Sequence, residues 1–360
     1  MQRSGSPSPP RSAAAPPGAP HSVPAPAAWD VIIVGGALSG AATALLLLRR
    51  NPRLRLLILE RTAEFSRRVG ESTVEVSAYF LGRVLGLTEH LNQHHLTKQG
   101  MRFWFTNDSA QTLGDCSETG PRYNVRFPGY QVDRAVLDQE VLDRAVAAGA
   151  TVLRPVRVRD ITLVPGGRQT VEWEEHSSAT LASDASSRAT PQTATARWVI
   201  DASGFAALLA RKHGWFTPNT AHPIAACWSR WRGVKNLDSR ELAEKFPAFA
   251  QRAHGVRYTA TNHIVGLGWW SWWIPLKGGD FSVGIVYDQR LTELPAGGKL
   301  GDRLRDFLNV HLRAEFLNVF FKKHVGFFNF FFKFIVIIIY FISCFVKLFF
   351  FIPAQKEHNC

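Results

Sequence analysis

The first strong pattern in the chain is an apolar run, Asp30-Val-Ile-Ile-Val34, followed by the glycine-rich segment Gly35-Gly36-Ala37-Leu38-Ser39-Gly40. Then comes SGAATALLLLRR, small and apolar residues that suit a helix, closed by Asn51-Pro52. LRLLILE (54–60), apolar from Leu56 to Leu59, reads as a second buried strand. Strands without polar alternation are buried on both faces, so this order predicts a β–α–β unit in a covered parallel sheet. Asp133 is placed to cap a helix running through Ala148, with Gly149 as its stop. TVLRPVRVRDITLV and TVEWEE read as strands, and ARWVIDASG (196–204) is a strand ending at a turn. Further on the period changes to two. GWWSWWIPL (268–276) and FSVGIVYD (281–288) flank Lys277-Gly-Gly-Asp280 and predict a hairpin. Alternation puts Trp270, Trp272 and Ile274 on one face of its first strand and Trp269, Ser271 and Trp273 on the other. The expected fold class is α/β, a Rossmann-like parallel sheet with an inserted antiparallel sheet.

Three stretches break the pattern. Residues 1–28 hold eight prolines among Ala and Ser and predict a disordered leader. HSSATLASDASSRATPQT (176–193) reads as a long surface loop. From 314 to 360 the composition shifts: arginine stops at Arg313, and fourteen of the 25 phenylalanines follow. The apolar stretch Phe334 to Val346 is 13 residues between two lysines, whereas a membrane span needs about 20. The break marks 314–360 as a segment foreign to the fold. A membrane anchor through 327–352, with snorkelling lysines, is the alternative. That leaves 29–313 as the folded unit.

The formal net charge of +13 comes from scattered residues. No basic helix or recognition motif accompanies it, so nucleic acid is not an expected partner. Cys116, Cys227, Cys344 and Cys360 form no C-x-x-C pair and have no histidine at ligand spacing. No metal site is expected, and a reducing, cytoplasmic location fits.

Chemistry enters with the glycine-rich turn. Gly35, Gly36, Ala37, Ser39 and Gly40 sit between a strand and a helix, and Glu60 ends the next strand. A turn with few side chains lets backbone N–H groups approach a pyrophosphate, and the helix N-terminus favours its charge. Glu60 is placed to accept from a ribose hydroxyl. Ala37 stands where the motif's second glycine belongs, and its methyl crowds the phosphate slightly. These features predict dinucleotide binding.

VIIVGGALSGAA, ILER, VGEST (69–73), YQVDRAVLDQEVLDRAVAAGA (130–150) and WVIDASG (198–204) resemble, in that order, FAD-dependent monooxygenases and halogenases. The resemblance runs from about Asp30 to His311. It implies FAD as cofactor, Arg134 near the pyrophosphate, Asp201 and Gly204 closing the strand end beside it, and Gly70-Glu71-Ser72 approaching the flavin. Trp270, Trp272, Ile274 and Pro275 spell W-x-W-x-I-P, which resembles the signature of flavin-dependent halogenases. In that family the segment separates flavin from substrate. Lys98 opens K-x-x-x-R-F, which resembles the stretch that carries the family's essential lysine.

The resemblance therefore implies halogenation of an electron-rich aromatic (phenol, pyrrole or indole) through a flavin hydroperoxide and hypohalous acid directed by Lys98. It also implies chloride or bromide as co-substrate and a separate flavin reductase as partner. An FAD hydroxylase or a non-catalytic product are the alternatives. The family's G-D-x-x-x-x-x-D-P segment has no counterpart here. The expectation is a C-terminally truncated halogenase that binds FAD weakly or not at all and is inactive as written.

Overall fold

The computed structural model describes residues 28–106, 113–175, 191–311 and 328–329. The chain opens with β1 (Trp29–Val34), α1 (Leu38–Arg50) and β2 (Leu56–Leu59). Short helices α2 (Glu75–Tyr79) and α3 (Thr88–His94) lead to β3 (Leu96–Lys98), β4 (Met101–Phe105), β5 (Ser117–Thr119) and β6 (Gly129–Gln131). Next come α4 (Arg134–Ala147), β7 (Thr151–Leu153), β8 (Val156–Thr162), β9 (Gln169–Glu175), β10 (Gln192–Asp201) and α5 (Leu208–Lys212). The remainder is β11 (Ile224–Trp231), α6 (Arg240–Lys245), α7 (Pro247–Ala250), β12 (Thr261–Gly266), β13 (Trp269–Pro275), β14 (Phe281–Asp288), α8 (Leu300–His311) and β15 (Phe328–Asn329).

The first sheet has the order β7-β2-β1-β10-β9-β8. Its first four strands are parallel, as the unbroken apolar runs predict. β9 and β8 extend it antiparallel, because the tight turn at Gly166-Gly167 joins them and a parallel pair needs a long crossover. Ile33 and Ile58 pack under α1 and α4, while Ile32, Val34, Leu57 and Leu59 pack with Val171 and Trp173. The expected strand 54–60 shortens to Leu56–Leu59. Of the expected loop 176–193, residues 176–190 lie outside the described residues, and Gln192 and Thr193 already belong to β10.

The second sheet has the order β15-β11-β14-β13-β12-β4-β5 and is antiparallel except for β4 beside β12. The expected hairpin is β13–β14, closed by Leu276 N–H donating to Asp280 O at 2.8 Å. The leader 1–28 lies outside the described residues up to its last position. So does the segment 314–360, except Phe328–Asn329, which pair with Arg230 and Ser229. Among the described residues no helix is long and apolar enough to cross a membrane.

The alternation read in β13 divides this sheet into two environments. Trp269 and Trp273 join Trp104, Trp231, Phe307 and Leu304 in a core under α8. Trp272 and Ile274 join Trp228 and Leu276, with Trp270 and Val69 packed against them, on the opposite face. There the register lines up Phe103, His263, Trp272, Gly284 and Trp228 across five strands. A Cβ on Gly284 would stand 2.3 Å from Trp272 Cζ2 and 2.6 Å from Trp228 Cβ. The missing side chain is what lets the Trp272 indole lie flat across β14. Gly284→Ala is expected to lower stability by about 1–3 kcal/mol through overpacking, read from the urea midpoint; an unchanged midpoint contradicts this packing.

Candidate functional site: a dinucleotide turn and a buried lysine

The glycine-rich turn is built by close backbone approach. Gly35 has φ +104°, and a Cβ there would stand 2.4 Å from Ala202 O. A Cβ on Gly40 would stand 1.8 Å from Gly35 O, so only glycine lets α1 sit this close to its own turn. Gly36 N–H donates to Glu60 Oε2 at 2.7 Å, and Thr62 donates to Glu60 Oε1 through both N–H and Oγ1 at 2.8 Å. Glu60 thus clamps the turn to the end of β2, a role its spacing did not reveal. Oε1 is filled by its two bonds from Thr62, and Oε2 keeps a second lone pair for a ribose hydroxyl. Ala37 is the N-cap of α1 with no side-chain cap, and no acidic residue occupies the first turn. Ser39 is exposed and faces solvent at that end. A 13-residue helix with an uncapped N-terminus and side-chain-free approach fits a pyrophosphate. The residues present therefore fit FAD.

Around this turn the other expected residues are engaged within the protein. Asp201 accepts from Ser203 N–H at 3.0 Å and from Leu209 N–H at 2.8 Å, tying the turn to α5. Gly204 has φ +64° and opens the short turn that follows. Arg134 Nε donates to Asp138 Oδ1 at 2.9 Å, Nη2 to Oδ2 at 3.1 Å, and Nη1 to Val69 O at 3.2 Å. Three of its five N–H donors are thereby engaged, and the guanidinium braces the loop at Val69-Gly70.

That loop is the joint between the two sheets. Glu71 is 1% exposed and Arg230, from β11, is 4% exposed. Arg230 Nε donates to Glu71 Oε1 at 2.9 Å, and its Nη2 reaches the same oxygen. Nη1 donates to Asp133 Oδ2 at 3.2 Å, so α4's cap shares the cation. Burial pushes the Glu71 carboxyl above its ordinary range, and Arg230 opposes that shift. One residue on, Ser72 Oγ lies 2.7 Å from Thr261 Oγ1 on β12.

Lys98 closes the arrangement. It ends β3 and is 3% exposed. Nζ donates to Ser72 Oγ at 2.8 Å and to Thr73 O at 2.9 Å. An ammonium only donates, so Ser72 accepts from it and passes its own proton to Thr261. Thr261 Oγ1 then donates to Gln131 Oε1 at 3.3 Å, and Gln131 Nε2 donates to Thr259 O at 2.9 Å. Every hydroxyl direction follows from Lys98. Burial lowers its pKa to about 8, with Glu75 pulling weakly the other way.

The tryptophan face stands over this loop. Val69 packs with Trp228, Trp272 and Ile274, and Pro275 is buried at the end of the strand. Trp272 Nε1 donates to Ser282 Oγ at 3.2 Å, which satisfies its buried N–H. Sequence reasoning missed His263, which is 6% exposed and stacks on Phe103 at 4.8 Å. Its ring lies 5.4 Å from Trp270. The one signal available was its place in TNHIVG, a histidine alternating onto an apolar face. It missed Arg230 too, which is silent without its partner Glu71. Among the described residues no group of three His, Cys, Asp or Glu side chains is arranged to hold a metal ion.

Comparison with known proteins agrees with this geometry. Residues 28–227 match the family model of the FAD binding domain. Over 276 residues the chain is 28% identical to the flavin-dependent halogenase chlA of Dictyostelium discoideum, covering 72% of this chain and 45% of that protein. It is 26% identical over 277 residues to the sulochrin halogenase gedL of Aspergillus terreus, covering 72% and 46%. The chain spans about half the length of the curated relatives it matches. The fold is shared with the halogenase PltM solved with phloroglucinol and FAD, at TM-score 0.64 and 19% identity over 83% of this chain and 59% of that one. It is shared also with the flavin-dependent brominase Bmp2, at TM-score 0.60 and 19% identity over 84% and 66%. The chain belongs to the FAD-binding-domain family, and the curated proteins it resembles are flavin-dependent halogenases.

Proposed function

We propose that this chain carries the FAD half-site and the catalytic lysine for halogenation of an electron-rich aromatic ring. Chloride or bromide is the co-substrate, and reduced FAD comes from a separate flavin reductase. When bound, FAD supplies the oxygen activation that converts halide to hypohalous acid. Gly35, Gly36, Ala37, Ser39, Gly40 and Glu60 hold the dinucleotide. Arg134, Asp201 and Gly204 shape the backbone beside it.

The observation that carries the reading is Lys98. As an ammonium it has three protons. Ser72 and Thr73 take two and fix the direction of the third. That proton goes to the oxygen of the hypohalous acid. The halogen–oxygen bond then breaks with water as leaving group, the carbon–halogen bond forms, and the ring releases its proton. A pKa of about 8 suits an acid working near neutrality.

Trp270, Trp272, Ile274 and Pro275 act as a partition. The packing of Trp270, Trp272 and Ile274 with Val69 supports this reading, since an apolar wall between flavin and substrate favours halogenation over direct hydroxylation. The relatives support the class: one is named for sulochrin, and one solved neighbour holds phloroglucinol.

The expected inactivity of the chain as written is attributed to poor flavin retention, so the assay supplies excess reduced FAD with oxygen, bromide and a phenol. Lys98→Ala is expected to lower halogenated product about 10²–10⁴-fold while hydrogen peroxide release continues; hydroxylated product insensitive to bromide contradicts the proposal.

The sign of the pH dependence follows from the depressed lysine. Activity that needs the ammonium is level below pH about 8 and falls above it. Lys98→Arg, if active, loses that fall. Stability carries the complementary signature. With the folded pKa at about 8 and the ordinary value at 10.5, the unfolded chain binds more protons between them. Stability contributed at this site therefore rises with pH across that window. Lys98→Met is expected to flatten the rise in urea-unfolding free energy; an identical slope contradicts the burial of a charged Lys98.

A further inference from the structure

The hydrogen-bond chain behind Lys98 is directed from its far end as well as from the lysine. Its last member is Gln131, wholly buried on β6 and paired through the backbone with Leu96 of β3 and with Ser72. Gln131 Nε2 donates to Thr259 O at 2.9 Å, and the same carbonyl accepts from Gln99 N–H at 3.1 Å. A carbonyl only accepts, so turning the amide over would set Gln131 Oε1 against the Thr259 oxygen. The amide therefore has one orientation. It presents Oε1 to Thr261 Oγ1 at 3.3 Å, where a proton is required.

Thr261 has one hydroxyl proton. With that proton given to Gln131, Thr261 Oγ1 offers only lone pairs to Ser72 Oγ at 2.7 Å, so Ser72 donates to it. The Ser72 proton is thereby turned away from Lys98, and a lone pair faces Nζ at 2.8 Å. The Thr73 carbonyl, at 2.9 Å, can only accept. Both neighbours of Nζ are acceptors before the charge of the lysine is considered. Two fixed acceptors favour an ammonium through charge-assisted bonds, whereas a neutral amine has a lone pair that neither can partner. Without the Gln131 amide the chain can reverse, running from Thr261 to Ser72 to the Nζ lone pair, which favours the neutral amine.

We propose that Gln131 and Thr261 are positioning residues acting through Ser72: the one orientation open to the Gln131 amide holds the chain in the direction that keeps Lys98 an ammonium and aims its third proton. The use of that proton in a reaction rests on the halogenase reading. The lock itself stands on the hydrogen bonds. It opposes the burial of Nζ, which favours the neutral amine.

The test reads the protonation of Lys98 without flavin or turnover. In the full 360-residue chain, labelled with an NMR-active carbon at lysine Cε, the Lys98 resonance is the one missing from Lys98→Met, and its shift against pH gives a midpoint. Thr261→Val, which keeps the shape and removes the hydroxyl, is expected to lower that midpoint by about one pH unit, the scale of one charge-assisted hydrogen bond. Gln131→Met is expected to lower it similarly. Thr261→Ser, which keeps the hydroxyl, holds the midpoint of the unaltered chain. A merely structural role would lower stability in these variants and leave the midpoint in place. An unmoved midpoint in Thr261→Val or in Gln131→Met overturns the proposal, as does a Thr261→Ser midpoint that moves as far as that of Thr261→Val. Failure of the halogenation assay alongside the expected shifts overturns the reaction and leaves the lock standing.

Discussion

The ion pair between Arg230 and Glu71 is the interaction on which the rest of the site depends. Glu71 sits in the loop that leaves the dinucleotide-binding sheet, and Arg230 sits in β11 of the second sheet. Both are almost wholly buried. Two buried charges carry a large desolvation cost, recovered only with good geometry and further partners. Arg230 finds them in Asp133 and Asp280, and the cation thereby joins the loop, the cap of α4 and the tip of the β13–β14 hairpin. Once the loop is fixed, Ser72 reaches Thr261, and Lys98 has both of its acceptors in place.

This explains why the buried lysine and the tryptophan face come from different parts of the chain and still meet at one loop. The dinucleotide turn is a local product of glycine geometry. Lys98 belongs to a small two-stranded element with β6. The tryptophans belong to a wide antiparallel sheet. The loop at 69–73 joins the last two: Ser72 and Thr73 accept from Lys98, Val69 packs on the tryptophan cluster, and Glu71 ties the loop to β11. A change in that loop is felt at the lysine and at the wall together.

How much of this was legible depended on whether a feature was local. The strand DVIIV, the turn Gly35–Gly40 and the helix after it follow from short-range patterns, because each is forced by neighbours in sequence. So does the two-faced character of β13, since alternation alone separates Trp272 from Trp273. Glu60 was placed correctly in sequence but read only as a ribose acceptor; its hold on Gly36 N–H appears only when β2 and the turn are side by side. Arg230 and His263 were silent. The first gains meaning from Glu71, 159 residues away. The second gains it from a strand pairing that sets it against Phe103 and Trp272. Gly284 was one glycine in an apolar strand until the indole lying across it was seen.

The central claim is that the Arg230–Glu71 pair holds the loop at 69–73 onto the tryptophan face. A double-mutant cycle measures it directly, with Arg230→Met, Glu71→Met and the double variant compared by urea unfolding. Arg230→Met leaves the buried Glu71 carboxylate without its cation and is expected to lose about 3–5 kcal/mol, while Glu71→Met leaves Arg230 to Asp133 and Asp280 and is expected to lose less. The double variant removes both charges and is expected to lose far less than the sum of the two. Additive losses would show that the residues act independently, and would contradict the account.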